Sequence, residues 1–197
     1  MVVASRNQGK VDELRRLLAA LPWRLLDLKQ VPNGRGIEWE EDGATYRDNA
    51  AIKARAVYAG TGLASLADDS GLEVKSLGGW PGLHTARWMG AGASADQLLE
   101  GLTERVAKLA PGKRGAIFVC AMALALPGPR GELELIQSEA RLVGSLLPQP
   151  RGRQGFGYDP IFVPKGERRT MAEMSQAEKD EISHRGRALR ALLGALS

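Results

Sequence analysis

Apolar residues follow two rhythms along this chain. Val11, Leu14, Leu17, Leu18 and Leu21 recur at helical spacing after a polar turn over residues 5–10, and Pro22 closes the run. The same spacing predicts a second helix, capped by Thr45 and running through Ala50, Ile52, Ala54, Val57 and Tyr58. A third covers residues 95–109, with Leu98, Leu99, Leu102, Val106 and Leu109 on its apolar side. A last one covers 183–196, with Leu189, Leu192, Leu193 and Leu196 packing inward. Short apolar runs predict strands over 2–4, 23–28, 63–67 and 161–163. The long run over 116–126 is broken by Pro127-Gly128-Pro129 and followed by alternation over 133–143, which predicts a hairpin. Loops fall over 32–42, 78–82 and 148–157, and Thr170 and Glu173 stand at capping-box spacing. Strands interleaved with helices, with no internal repeat, predict an α/β fold with a mixed sheet.

The chain has 197 residues, which suits one domain over 1–197 and is enough to bury a substantial core. Its apolar and charged fractions, 44% and 25%, are those of an ordinary globular protein. A net charge of +4 is mild, and a solubility surface accounts for it as well as an anionic partner does. Cys120 is the only cysteine and lies in an apolar run, so it reads as a buried small hydrophobe. No disulfide can form within the chain, which predicts a reducing, cytoplasmic setting. With His84 and His184 the only histidines, the sequence argues against a cysteine–histidine zinc site. The first four residues make no signal peptide, and no run reaches the length of a membrane span.

The chemistry starts from Ala67-Asp68-Asp69-Ser70-Gly71. Two adjacent carboxylates sit where a short strand is expected to meet a glycine turn. Strand neighbours point to opposite faces, so one Asp faces a site while the other braces the turn. Such carboxylates suit Mg²⁺, which takes one or two of them plus water and substrate phosphate. Asp-Ser-Gly is also the triplet of aspartic proteases, but those need a second triplet and this chain has one.

Elsewhere, Ser5, Arg6, Asn7, Gln8, Gly9 and Lys10 form a turn between strand and helix, where backbone N–H groups face an anion and Lys10 adds charge. It is not a Walker A loop, since the first glycine is missing and Val11 follows the lysine. Glu40, Glu41 and Asp42 precede the Thr45 helix, whose dipole they favour, and Lys53 shares a helix face with Asn49. In Gly155-Phe156-Gly157-Tyr158-Asp159-Pro160 the glycines admit a ligand close to the backbone and an aromatic can stack on a base. Lys179 and Ser183-His184-Arg185-Gly186 offer donors to a carbonyl oxygen or a phosphate. Taken singly, these have plain readings too: an ordinary βα turn, a solvated lysine, a tight turn with a core aromatic, a surface helix start.

Their order and spacing together resemble the non-canonical purine nucleoside triphosphate pyrophosphatases, the Ham1-like or inosine triphosphatase family. The resemblance covers nearly the whole length. It is carried by Ser5-x-Asn7-x-x-Lys10, Glu41 with Thr45-x-x-x-Asn49-Ala50-x-x-Lys53-Ala54, and Ala67-Asp68-Asp69-Ser70-Gly71-Leu72. It continues through Gly79-x-Pro81-Gly82-x-x-x-Ala86-Arg87, the 155–160 segment, Lys179 and Ser183-His184-Arg185-Gly186. Thr85 stands where the family usually has Ser, and Trp88 where an aromatic is common.

The resemblance implies an α/β protein of the Ham1- and Maf-like type. That type has an elongated mixed β-sheet flanked by helices and two lobes with a nucleotide-binding cleft. It implies a homodimer that hydrolyses ITP, dITP and XTP to the monophosphate and pyrophosphate, keeping deaminated purines out of nucleic acid. The partner is then a free nucleotide, with no nucleic acid polymer and no membrane. The implied site has Asp69 as the catalytic residue and, with Glu41, as ligand of Mg²⁺. The substrate-binding set is Ser5, Arg6, Asn7, Gln8, Gly9, Lys10, Lys53, Ser70, Phe156, Gly157, Tyr158, Asp159, Lys179, His184 and Arg185. Within it, Lys10, Lys53 and the 5–10 turn hold the triphosphate, Phe156 stacks on the base, Lys179 reaches its edge or the phosphates, and His184 and Arg185 donate to the oxygen at C6. Two other classes remain: a Maf-like pyrophosphatase with a different altered base, and a nucleotide or nucleic-acid binder that needs no metal and weakens with salt.

Overall fold

A computed structural model describes residues 1–90 and 92–196. Among them the strands are β1 (Val2–Val3), β2 (Leu26–Asp27), β3 (Ser65–Val74), β4 (Pro81–Gly82), β5 (Gly115–Pro127), β6 (Leu133–Leu146) and β7 (Phe162–Pro164). The helices are α1 (Gln8–Leu17), α2 (Tyr46–Thr61), α3 (Ala95–Ala107), α4 (Gln176–Ile182) and α5 (His184–Gly194). The sheet order is β2-β1-β3-β5-β6-β7, with β4 paired to β3. It is mixed: β1 runs parallel to β2 and β3, while β3–β4 and β6–β7 are antiparallel. The turn linking β5 to β6 is closed by the Gly128 N–H donating to the Glu132 carbonyl at 2.7 Å. No described helix is long and apolar enough to cross a membrane.

The helix starts follow their caps. Thr45 and Asp48 form a capping box on α2, as do Ser94 and Gln97 on α3, each satisfying backbone donors that the first turn leaves open. Gly62 ends α2 in the left-handed region, at φ 66°, where a side chain would be strained.

β3 departs from the sequence expectation. The strand does not stop at a glycine turn but runs on through Ser70 and Gly71 to Val74. Leu72 and Glu73 find ladder partners in Gly82 and Pro81 of β4, so extension costs no unpaired backbone.

The chain forms two compact units. One holds Met1–Asp69, Cys120–Ala140 and Arg185–Ser197; the other holds Ser70–Val119 and Arg141–His184. The first packs Val3, Val11, Leu14, Leu18, Leu66, Met122, Leu189 and Leu192 into its core, with Cys120 buried among them. The second packs Leu72, Leu98, Leu102, Val106, Phe118, Leu146, Ile161 and Phe162.

Candidate active site

In the first unit, Asp68 and Asp69 project from β3 in opposite directions, as strand pleating requires, and each meets its own cations. Asp69 Oδ1 accepts from Lys53 Nζ at 2.7 Å, and its Oδ2 accepts from Asn49 Nδ2 at 3.3 Å. Lys53 also donates to Glu41 Oε1 at 2.9 Å. Both donors lie on α2, one turn apart, which is how the helix presents Asn49 and Lys53 together. Asn49 Oδ1 accepts from the Gly43 N–H at 2.9 Å, so this amide ties the segment after Glu41 to the Asp69 carboxylate.

Asp68 faces the other way. Arg185 donates to its Oδ2 from Nε at 3.0 Å and Nη2 at 2.8 Å, and Lys10 Nζ lies 3.3 Å from its Oδ1. Arg185 Nη1 donates to Glu13 Oε2 on α1. The expected brace of a turn is thus a brace of a buried ion network. Arg185 is 2% exposed, with its guanidinium held by two carboxylates of its own chain.

The turn before α1 is ordered by its own polar atoms. Asn7 caps the helix by accepting from the Lys10 N–H at 3.2 Å, and Ser5 Oγ accepts from the Asn7 N–H at 3.2 Å. Arg6 turns away from Lys10's partners: it donates to the Ile37 carbonyl at 2.8 Å and lies 4.4 Å over the Trp39 ring. Ser5, Arg6 and Gln8 also line a cavity of about 220 Å³ together with Lys29 and Arg35. Gln8 itself donates to Asp12 at 2.8 Å.

Burial opposes the charged form of each of these groups. It raises the proton affinity of the Asp69 carboxyl, against the pull of Lys53 and Lys10. For Lys53 burial works toward losing the proton, but Asp69, Asp68 and Glu41 outweigh it and hold the ammonium charged above the usual lysine range. Desolvation likewise opposes the Arg185 charge, and Asp68 and Glu13 overcome it.

Two carboxylates converging on one ammonium show that Glu41 and Asp69 can present oxygen ligands to a shared cation. That is a donor set for a hard divalent ion, which completes its shell with water and phosphate. No cluster of three or more His, Cys, Asp or Glu among the described residues forms a closed metal cage. The two carboxylates fit an open site for a divalent cation.

The second unit holds the other cluster. Lys179 Nζ donates to Asp159 Oδ2 at 2.6 Å and sits 4.9 Å from the centre of the Phe156 ring. The same Asp159 oxygen accepts from the Phe156 N–H at 2.9 Å, which curls the loop around the carboxylate. Gly155, at φ 77°, has no room for more: a Cβ there would lie 2.1 Å from Asp159 Oδ2. Tyr158 is buried, accepting from Trp88 Nε1 at 2.8 Å and donating to the Thr85 carbonyl at 3.0 Å. It supports the loop and offers no stacking face. His184 stacks on Phe118, with ring centroids 4.6 Å apart. Thr85 keeps its hydroxyl in use, accepting from the Leu72 N–H at 2.8 Å. Ser70 lies half-buried on β3, next to Asp69 in the chain, and Gly157 has positive φ within the same loop as Phe156.

Residues 1–195 match the Ham1 family model. This chain belongs to the Ham1 family. A dITP/XTP pyrophosphatase of Deinococcus deserti is 48% identical over 99% of this chain and 88% of its own length. That of Mycobacterium bovis is 46% identical over 100% and 94%. Among solved structures, the Ham1 protein of Coxiella burnetii superposes with a TM-score of 0.81 at 36% identity, covering 99% of this chain and 96% of that one. The nucleoside-triphosphatase / dITP/XTP pyrophosphatase of Mycobacterium abscessus gives 0.69 at 46% identity, covering 98% and 97%.

In this Ham1 chain, sequence reasoning missed Glu13 and undervalued Asn49. Glu13 sits on α1 one turn from Lys10 and beside Leu14, on the face that the apolar pattern marks as buried. An acid on such a face needs a cation, and that mismatch was the available signal.

Proposed function

We propose that this protein hydrolyses deaminated purine nucleoside triphosphates (dITP, ITP and XTP) to the monophosphate and pyrophosphate. The observation that carries the reading is the pair Asp69 and Glu41 closing on Lys53, an arrangement suited to a metal–triphosphate. The names of the Deinococcus and Mycobacterium relatives support the substrate class. Lys53, Lys10 and the Ser5–Asn7–Gln8–Gly9 turn take the phosphates. Asp69 and Glu41 would hold Mg²⁺, which would supply charge neutralisation at the phosphates. Water attacks the α-phosphorus, Asp69 takes its proton, the bond from the α-phosphorus to the bridging oxygen breaks, and pyrophosphate departs.

Phe156 stacks on the base, and His184 and Lys179 meet its edge, with Gly157 allowing close approach and Ser70, Tyr158 and Asp159 supporting them. A donor facing C6 donates to the oxygen of hypoxanthine or xanthine but meets only another donor in the amino group of adenine, which can reject it strongly. Arg185 enters as the residue that fixes Asp68. The enzyme acts on the free cytoplasmic nucleotide pool as a homodimer.

The test is pyrophosphate release from dITP, XTP, GTP and ATP, with and without Mg²⁺, for the wild type and Asp69→Asn. The expected result is metal-dependent release from dITP and XTP, lowered by at least about 10²-fold in the variant. Orthophosphate as product, or full activity of Asp69→Asn, would sink the mechanism. Sedimentation of the same sample reads the assembly, and a monomer mass would remove the homodimer.

A further inference from the structure

We propose that Arg6 is a positioning residue which clamps the segment over residues 37–43 and so sets the place of Glu41. The proposal rests on the reading that Glu41 holds the metal. Residues 37–43 form neither helix nor strand, so no ladder of backbone hydrogen bonds holds Glu41 where it is. The segment is instead fixed at both ends. At its start, Arg6 Nη2 donates to the Ile37 carbonyl at 2.8 Å while its guanidinium lies 4.4 Å over the Trp39 ring. The Ile37 side chain packs against α2, so close that a Cβ at Gly60 would fall 2.8 Å from its Cδ1. At its end, the Gly43 N–H donates to Asn49 Oδ1 at 2.9 Å, and a Cβ on Gly43 would lie 2.6 Å from Asp48 Cβ. Glu41 stands between these anchors, its carboxylate 2.9 Å from Lys53 Nζ.

Arg6 is suited to this work in a way lysine is not. A planar guanidinium can lie flat on an indole and donate in its own plane at the same time, whereas an ammonium is a point charge that does one or the other. Arg6 also neighbours Asn7, the cap of α1, so the turn that takes phosphate and the segment that carries Glu41 are joined through one side chain. Groups that orient a metal ligand from behind typically change metal affinity by about 10–100-fold when removed.

The test compares the wild type with Arg6→Ala, Arg6→Lys and Trp39→Ala by two measurements. One is backbone hydrogen–deuterium exchange over residues 37–43 in metal-free protein. The other is the Mg²⁺ concentration that half-activates dITP turnover at saturating nucleotide. Arg6→Ala and Trp39→Ala should both speed exchange in that segment and raise the half-activating Mg²⁺ about tenfold, with kcat at saturating Mg²⁺ changed much less. Arg6→Lys should restore little of either. Unchanged exchange and Mg²⁺ requirement, together with a raised KM for dITP in Arg6→Ala alone, would overturn the clamp and make Arg6 a phosphate ligand. A wild type without Mg²⁺-dependent turnover would instead remove the functional reading. Unchanged exchange in both alanine variants would still overturn the clamp, so the two failures are separable.

Discussion

Asp68 and Asp69 are the same residue type, one bond apart in the chain, and do different things because a strand sends them to different faces. Asp69 is offered to a lysine that a metal–triphosphate would also attract; Asp68 is locked to Arg185, which is locked to Glu13. The network is buried, so its members depend on one another. Removing one partner of a buried ion pair leaves an uncompensated charge at about 3–5 kcal/mol. Arg185→Ala should therefore lower the unfolding free energy by roughly that amount in urea titrations. A loss under about 1 kcal/mol, joined to a lost preference for dITP over dATP, would return Arg185 to the base. Sequence alone pointed to Arg185 because of its neighbours in a motif. It could not show that the side chain points inward, since that depends on Glu13, which lies 172 residues away in the chain.

Elements were legible where a single face is apolar. α3 spans Ala95–Ala107 against an expectation of 95–109, and the Thr45 cap of α2 is where its sequence puts it. β3 was misjudged because most of it is buried on both faces, so it shows no alternation, and Ser70-Gly71 looks like a stop. β2 shrinks from 23–28 to Leu26–Asp27, with Trp23 left exposed.

The apolar pattern does not reveal α4, which holds Lys179, because Gln176–Ile182 is almost wholly polar and carries no apolar stripe. Its signal was the capping box of Ser175 and Glu178. The carboxylate of Glu178 accepts from Arg169 at 3.0 Å and from the Ser175 N–H and hydroxyl, each at 2.8 Å. Led by Arg169, these contacts lower its pKa from 4.5 to about 2. A depressed carboxylate favours the folded helix above its unfolded value, and that favour fades as pH falls from 4.5 toward 2. NMR titration should find Glu178 ionised well below pH 4.5 in the folded protein, and Ser175→Ala should move it back up. A normal carboxylate titration in the wild type would contradict the cap.

At the scale of the molecule, the two units are not beads on a linker. The chain passes between them after Asp69, Val119, Ala140 and His184. The first three crossings fall inside β3, β5 and β6, and the fourth inside the first turn of α5. A domain boundary belongs in exposed, flexible chain where few contacts cross, and a boundary cut through strands is the opposite. Fraying of either unit would break strands that the other also uses, so the units should unfold together. Leu14 anchors the core of the first unit and Leu102 that of the second, and both are fully buried. Leu14→Ala and Leu102→Ala should each destabilise the protein by about 2–5 kcal/mol. Each should lower the midpoint of one shared transition, seen alike by circular dichroism and, in a Trp23→Phe/Trp39→Phe background, by the fluorescence of Trp80 and Trp88, which lie in the second unit. If Leu14→Ala moved the circular dichroism transition and left that tryptophan signal in place, the units would be independent folding domains, and a single domain over 1–197 would be the wrong description.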